Sequence, residues 1–371
     1  MKENPLVALN KMGQSFWYDN ISRDFIRSGD LAKMVAKDGL RGITTNPSIF
    51  YKAIKEGNVY DDQIKALPKD MSAKEIFYEI ACQDVQEAAD ILMPIYEQSK
   101  ATDGFVSIEV DPNYAYDTQK TINEAHALIK KINRKNIMIK VPGTTNGLPA
   151  IKQLTVDGIN VNATLLFSVA RYNEVTEAYI EGLEQRLKNG GYLNDVFSVA
   201  SFFISRIDTT ADKLLNDRLS SSSNEEEISW IESLKGKTAI ANAKIAYQTM
   251  ITQFSNQRFI NLRREGANIQ KLLWASTSTK NPNYNDCMYV TELIGPKTIN
   301  TMPMATVAAF KDHGIIKRSI DANVDYALNI MNSLEDLNIN VGNITAELEE
   351  EGVKLFIDAF NSLLELIHKN K

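Results

Sequence analysis

Cysteine and histidine are scarce in this chain of 371 residues: Cys82, Cys287, His126, His313 and His368 are all it has. Two cysteines without paired spacing give neither a disulfide framework nor a zinc motif, and they read as reduced thiols of a cytosolic protein. The histidines lie far apart, in no H-x-x-x-H or H-E-x-x-H pattern. They read as helix-surface or core residues, and no metal site or Ser–His relay is indicated. Glycines never stand two apart, so there is no G-x-G-x-x-G, and no G-x-x-x-x-G-K-[ST] is present either. Classical nicotinamide and P-loop chemistry thus lack their usual signatures. The first fourteen residues lack the apolar core of a signal peptide, and no apolar run is long enough to span a bilayer. The expectation is a soluble, cytoplasmic protein without a membrane partner. A basic surplus is also missing: 41 Lys+Arg stand against 47 Asp+Glu, a net charge of −6. That speaks against a dedicated nucleic-acid binder.

What is present is an ordinary globular composition, 44% apolar and 24% charged, with two alternating periodicities. Short strand-like runs recur at Phe16–Asn20, Gly42–Asn46, Phe105–Val110, Ile137–Pro142, Ile159–Leu166, Phe197–Ile204, Lys271–Ser276 and Lys297–Met302. Helical spacing fills most of the gaps, as at Ser72–Ser99, Asp117–Lys131, Ser168–Leu187 and Lys237–Arg264. Ser72 followed by Glu75 has the form of a capping box. About eight strands separated by helices predict an α/β fold, a (β/α)₈ TIM barrel with additional helices. The open doubly wound sheet is the runner-up, lowered by the missing glycine loop. No repeat or linker divides the chain, so one domain over residues 1–371 is expected. Leu219–Glu227, reading L-S-S-S-S-N-E-E-E, suggests a polar surface loop or insertion. From Val324 onward the pattern is helical, an extension over 324–371. Its stripe of Ile344, Leu348, Phe356, Phe360, Leu363 and Ile367 predicts a helix packed on the barrel.

Strands of a parallel barrel are covered on both faces and should read as apolar runs. Here polar residues interrupt them toward their C-terminal ends: Asp19-Asn20, Thr44-Thr45-Asn46, Glu109, Lys140, Asn160, Asn162 and Thr164, Ser201, and Ser276. In a barrel these ends converge on the face where active sites are built. Any one of them reads equally well as a helix cap; seven strands together point to a site. Lys140, inside I-M-I-K-V-P, is the most informative. A buried lysine gives up its proton more readily than an exposed one, and a free amine can attack a carbonyl to form a Schiff base. The bland alternative is a stem crossing the strand with its head in water. The acids Asp19 and Glu109 favour the chemical reading, because such a reaction needs proton transfer.

The segments G-Q-S-F-W-Y-D-N-I-S-R-D (13–24), G-I-T-T-N-P-S-I-F (42–50), S-I-E-V-D-P (107–112), I-M-I-K-V-P-G-T (137–144), G-I-N-V-N-A-T-L-L-F-S (158–168) and S-V-A-S-F-F-I-S-R-I-D (198–208) together resemble the transaldolase family, in its longer bacterial form. The resemblance implies a (β/α)₈ barrel and Schiff-base aldolase chemistry without metal or organic cofactor. The substrates would be sugar phosphates of the non-oxidative pentose phosphate pathway. A dihydroxyacetone unit would pass from sedoheptulose 7-phosphate or fructose 6-phosphate to glyceraldehyde 3-phosphate or erythrose 4-phosphate. Carried over by position, Lys140 is the Schiff-base lysine and Asp19 the acid/base at the C4 hydroxyl. Glu109 works through a water held by Thr164. Asn46 and Asn162 bind the hydroxyls of the dihydroxyacetone unit, Ser201 and Phe203 line the pocket, and Arg206 faces the phosphate. Ser276 matches the serine of an A-S-F-R run whose arginine is replaced here by Ser278, so Lys280 is the candidate for the missing charge. A lysine there is a point charge without the arginine fork. The nearest alternative is a fructose 6-phosphate aldolase-like enzyme that needs no acceptor; a monomer or homodimer is expected in either case.

Overall fold

The computed structural model describes residues 3–371. Eight strands, β1 (Gln14–Asp19), β2 (Gly42–Thr44), β3 (Phe105–Glu109), β4 (Ile137–Pro142), β5 (Val161–Leu166), β6 (Ser198–Phe203), β7 (Gln270–Ala275) and β8 (Thr298–Met302), pair in sequence order into a closed barrel. All pairings are parallel, and Tyr18 of β1 pairs with both Ile43 of β2 and Met302 of β8, which closes the ring. Helices follow the strands and bury their outer faces. The predicted eight-unit barrel is therefore the observed one, and the open sheet is excluded.

Caps written in the sequence set many boundaries. Ser72 and Glu75 form the reciprocal capping box that starts the helix Ala73–Gln98. Asp117 caps Thr118–Ile132, and Ser168 caps Val169–Lys188. Two expectations fail for the same physical reason, an overlooked asparagine cap. The predicted helix 237–264 is two, Thr238–Gln253 and Gln257–Arg264, because Asn256 accepts from Phe259 N at 2.9 Å and starts a new turn. The predicted loop or insertion at 219–227 shrinks to residues 222–224. Helix Ser205–Ser221 runs into it, and Asn224 caps Glu225–Leu234, with three glutamates in the first turn where the helix dipole favours them.

The N-terminal half of the barrel is solid. Trp17, Phe105, Met138, Phe197, Val199 and Ile299 come from five different strands or their edges and leave only about 90 Å³ among them. Gly42 makes this possible: a Cβ there would stand 2.3 Å from the Trp17 ring. The indole N–H is not orphaned, since it donates to Asp103 Oδ1 at 2.8 Å.

Beyond β8 the chain forms helices Val324–Asp336 and Val341–Asn370. Ile344, Leu348, Phe360, Leu363 and Ile367 of the predicted stripe are buried. Burying side chains of this kind stabilises by roughly 1.5–3 kcal/mol each, which holds the last helix to the body. Phe360 packs edge-on against Phe77, with centroids 5.5 Å apart. Phe356 is the exception in the stripe, half-buried and turned to the barrel mouth. No helix among the described residues is long and apolar enough to cross a membrane.

Candidate active site

A cavity of about 260 Å³ opens at the C-terminal ends of the strands. Asp19, Asn46, Lys140, Thr164, Ser201, Phe203, Arg206, Ser276 and Lys280, nine of the predicted site residues, line it. Thr44, Ser48, Ala275, Ser278, Thr301, Pro303 and Phe356 complete the wall.

Lys140 stands near the middle of β4 and is almost fully buried. Its ammonium forms an ion pair with Glu109 of the neighbouring strand, opposite it in register. It also donates to the carbonyl of Thr45 at 2.8 Å, and the Phe356 ring lies 5.8 Å from Nζ. The amine is thus not simply stripped of solvent, as the sequence alone suggests. It has a carboxylate beside it. Glu109 itself faces away from the main cavity, toward Thr45, Asn46, Phe50 and Phe360. Burial pushes its carboxyl above the ordinary glutamate range, opposed by the Lys140 charge and hydrogen bond. Oε2 of Glu109 and the buried hydroxyl of Thr164 have no hydrogen-bond partner.

Thr164 is aimed by an irregularity. The β5–β6 register slips between Ala163 and Leu166, and Leu165 takes a left-handed φ of 61°. A leucine in that region is strained by about 1–3 kcal/mol, and bulges commonly re-aim the side chains beside them.

Asp19 ends β1 inside the mouth. Its Oδ1 accepts from Thr44 Oγ1 at 2.7 Å, and that hydroxyl meets Thr301 Oγ1 at 2.6 Å. Burial raises its carboxyl pKa, while Lys140, the Thr44 hydroxyl and Lys280 pull it back. A carboxyl between such opposing influences is suited to proton transfer.

Asn46 does both things that strand-end asparagines do. Its Oδ1 caps the helix Pro47–Glu56 through Ile49 N at 3.0 Å, and the residue still lines the cavity. Asn162 departs from expectation. It is fully buried beneath the floor, donating to Ser107 Oγ at 3.1 Å and accepting from Ser201 Oγ at 2.7 Å. Both ends of its amide are engaged, so it fixes Ser201 instead of facing the cavity. Phe203 packs on Phe167 at 5.2 Å. Ser276, in a left-handed turn with φ 57°, meets Ser205 Oγ at 2.9 Å.

Arg206 and Lys280 bring positive charge to the outer wall. Among the described residues, neither pairs with a carboxylate; Lys280 donates to Ser278 Oγ at 2.9 Å. Burial and the Arg206 charge lower the Lys280 pKa. Two unpaired cations beside a polar cavity suit an anionic substituent such as a phosphate.

A profile of the Transaldolase/Fructose-6-phosphate aldolase family matches residues 16–367. The chain belongs to this family. Among curated transaldolase relatives, the Trichodesmium erythraeum protein is 46% identical over 367 residues, spanning 98% of this chain and 97% of its own length. A protein named Transaldolase 2 from Nostoc is 46% identical over 368 residues with the same coverage. The Mycobacterium tuberculosis transaldolase is 44% identical over 367 residues, covering 98% of this chain and 96% of its own.

Five contributors to the cavity escaped the sequence reading: Thr301, Pro303, Ser48, Thr44 in its role toward Asp19, and Phe356. Thr44 was visible in T-T-N-P-S. Phe356 gave no signal beyond its place in an apolar stripe.

Proposed function

We propose that this chain is a transaldolase that carries a dihydroxyacetone unit between sugar phosphates as an adduct of Lys140. The observation that carries the reading is the buried Lys140–Glu109 pair with Asp19 on the wall of the same cavity.

Lys140 passes a proton to Glu109, and the free amine adds to the C2 carbonyl of the donor ketose. The resulting carbinolamine loses water, with Glu109 and Thr164 guiding the proton and the departing molecule. The iminium that forms is an electron sink. Asp19 removes the proton of the C4 hydroxyl, the C3–C4 bond breaks, and its electron pair moves into the iminium as an enamine. The aldehyde leaves. An acceptor aldehyde then enters, the enamine attacks its carbonyl carbon, and Asp19 returns the proton to the new hydroxyl. Hydrolysis of the new iminium frees Lys140.

Asn46, Ser201 and Ser276 bind the hydroxyls of the three-carbon unit, Asn162 holding Ser201 in place. Phe203 forms the apolar side. Arg206 and Lys280 grip the phosphate. Transfer instead of release requires that water not protonate the enamine, and exclusion of bulk water is the means. Phe356, brought over the mouth by the last helix, supports that role. Charged sugar phosphates do not cross bilayers unaided, so the cytoplasm is the setting this activity fits.

Borohydride reduction in the presence of fructose 6-phosphate tests the reading. A three-carbon or six-carbon adduct mapped to the Lys140 peptide is expected; no adduct, or one on another lysine, overturns it. Turnover of fructose 6-phosphate that needs no acceptor aldehyde would instead favour simple aldol cleavage.

A further inference from the structure

We propose that Asp286, Cys287 and His313 form a binding site for a thiophilic divalent cation of the zinc class, on the outer side of the loop that carries Lys280. One ligand atom from each residue lies within 4.8 Å of the other two. Cys287 Sγ is 3.7 Å from His313 Nε2, and Asp286 Oδ1 is 2.8 Å from the same nitrogen.

These separations are close to what a tetrahedral ion imposes. With zinc bonds of about 2.3 Å to sulfur and about 2.0–2.1 Å to nitrogen, sulfur and nitrogen sit roughly 3.5 Å apart. Closing the site requires that Asp286 move back from His313 by about half an ångström, and its exposed side chain is free to do so. A second observation is the partner on the other ring nitrogen. Asp312 Oδ2 lies 3.1 Å from His313 Nδ1, the carboxylate–imidazole arrangement that orients metal-bound histidines. Cys287 is buried while Asp286 and His313 are exposed. The thiol thus forms the base of the site, and the fourth position faces solvent. Thiolate and imidazole select zinc-like ions over magnesium or calcium. Binding displaces the thiol proton of Cys287 and the proton held between Asp286 and His313 Nε2; nothing is oxidised or reduced.

No ligand spacing in the sequence points here. Cys287 and His313 are 26 residues apart and belong to different segments. Asp286 and Cys287 close the loop that follows β7, whereas His313 ends the helix Met304–His313 that follows β8. The same loop is pinned on its inner side by Tyr284 OH to Asp212 at 2.6 Å and, just beyond it, Tyr289 OH to Asp208 at 2.8 Å. A cation would fasten the same loop a second time near its end, six and seven residues after Lys280.

Cobalt(II) titration of the full-length chain tests the site. The expected result is a near-ultraviolet thiolate-to-cobalt band that saturates at one ion per chain and disappears when zinc(II) is added. Cys287→Ser removes the band, with Cys82 left as the internal control. His313→Ala weakens binding by at least about tenfold, and Asp312→Asn by about tenfold, as second partners of metal-bound histidines do. His313 and Asp312 are exposed, so their variants keep the fold, and far-ultraviolet circular dichroism checks that buried Cys287→Ser does too. Cobalt bound without the band, a band that survives in Cys287→Ser, or unchanged affinity in His313→Ala overturns the proposal.

Discussion

Among the described residues two ion pairs are buried on both sides, and they are built differently. Arg23 and Asp84 are sealed under the helix Ala73–Gln98, with side chains 3% and 0% exposed. Arg23 Nε donates to Asp84 Oδ1 at 2.8 Å, Tyr60 OH donates to Oδ2 at 2.8 Å, and Gln63 takes a further guanidinium hydrogen. Lys140 and Glu109 are about as deeply buried, at 5% and 9%, yet Oε2 of the carboxylate has no donor. Burial pushes both carboxyls upward, but an arginine keeps its charge under all conditions, so Arg23 has no proton to pass on, and each oxygen of Asp84 accepts a hydrogen bond. A lysine can shed its proton, and a glutamate whose pKa is raised can accept one. The saturated pair holds structure; the unsaturated pair can move a proton.

Separating stability from turnover breaks or sharpens this contrast. Lys140→Met should abolish sugar exchange, with kcat falling on the order of 10⁶-fold as nucleophile deletions do. Its melting temperature should change little, because Glu109 can be neutralised by protonation. A large loss of stability would show that the pair is structural after all. Asp84→Ala should do the reverse. It leaves the Arg23 charge buried and unpaired, at a cost of about 3–5 kcal/mol measured by denaturant unfolding, while kcat per folded molecule stays unchanged.

Asp19 belongs to neither pair but borrows the field of one. Asp19→Asn should lower kcat by roughly 10²–10⁴-fold, the usual contribution of a general base. The wild-type pH–rate profile checks the sign. Asp19 must be ionised to take the hydroxyl proton, so activity falls as pH drops through its pKa. Burial raises that value, so the acid limb should lie above the ordinary aspartate range and vanish in the variant. The smallest effect is expected at Lys280. Lys280→Ala should raise KM for phosphorylated substrates roughly ten- to a hundredfold, a loss of about 1.5–3 kcal/mol for one charged contact, with kcat nearly preserved. An unchanged KM removes Lys280 from the phosphate site.

Strand-end polarity made the barrel and most of the site legible. Asp19, Glu109, Lys140 and Thr164 break apolar runs where only chemistry or capping explains them. Position along a strand does not reveal depth, however. Asn162 has the same kind of signal as Thr164 but lies one layer lower, where its amide is consumed by Ser107 and Ser201. Asn224 and Asn256 look like loop residues until their caps are seen. Arg23 and Asp84 are 61 residues apart, on segments whose periodicity says nothing of each other. Phe356 reads as core, and only the path of the helix Val341–Asn370 brings it to the mouth.

The indole of Trp17, wedged in where Gly42 leaves room, makes the barrel a cup and not a tube. With its base filled, whatever enters must depart by the same rim, under Phe356. The first aldehyde therefore leaves by the way its successor comes in. The ping-pong order of half-reactions that the enamine sets then has plumbing to match.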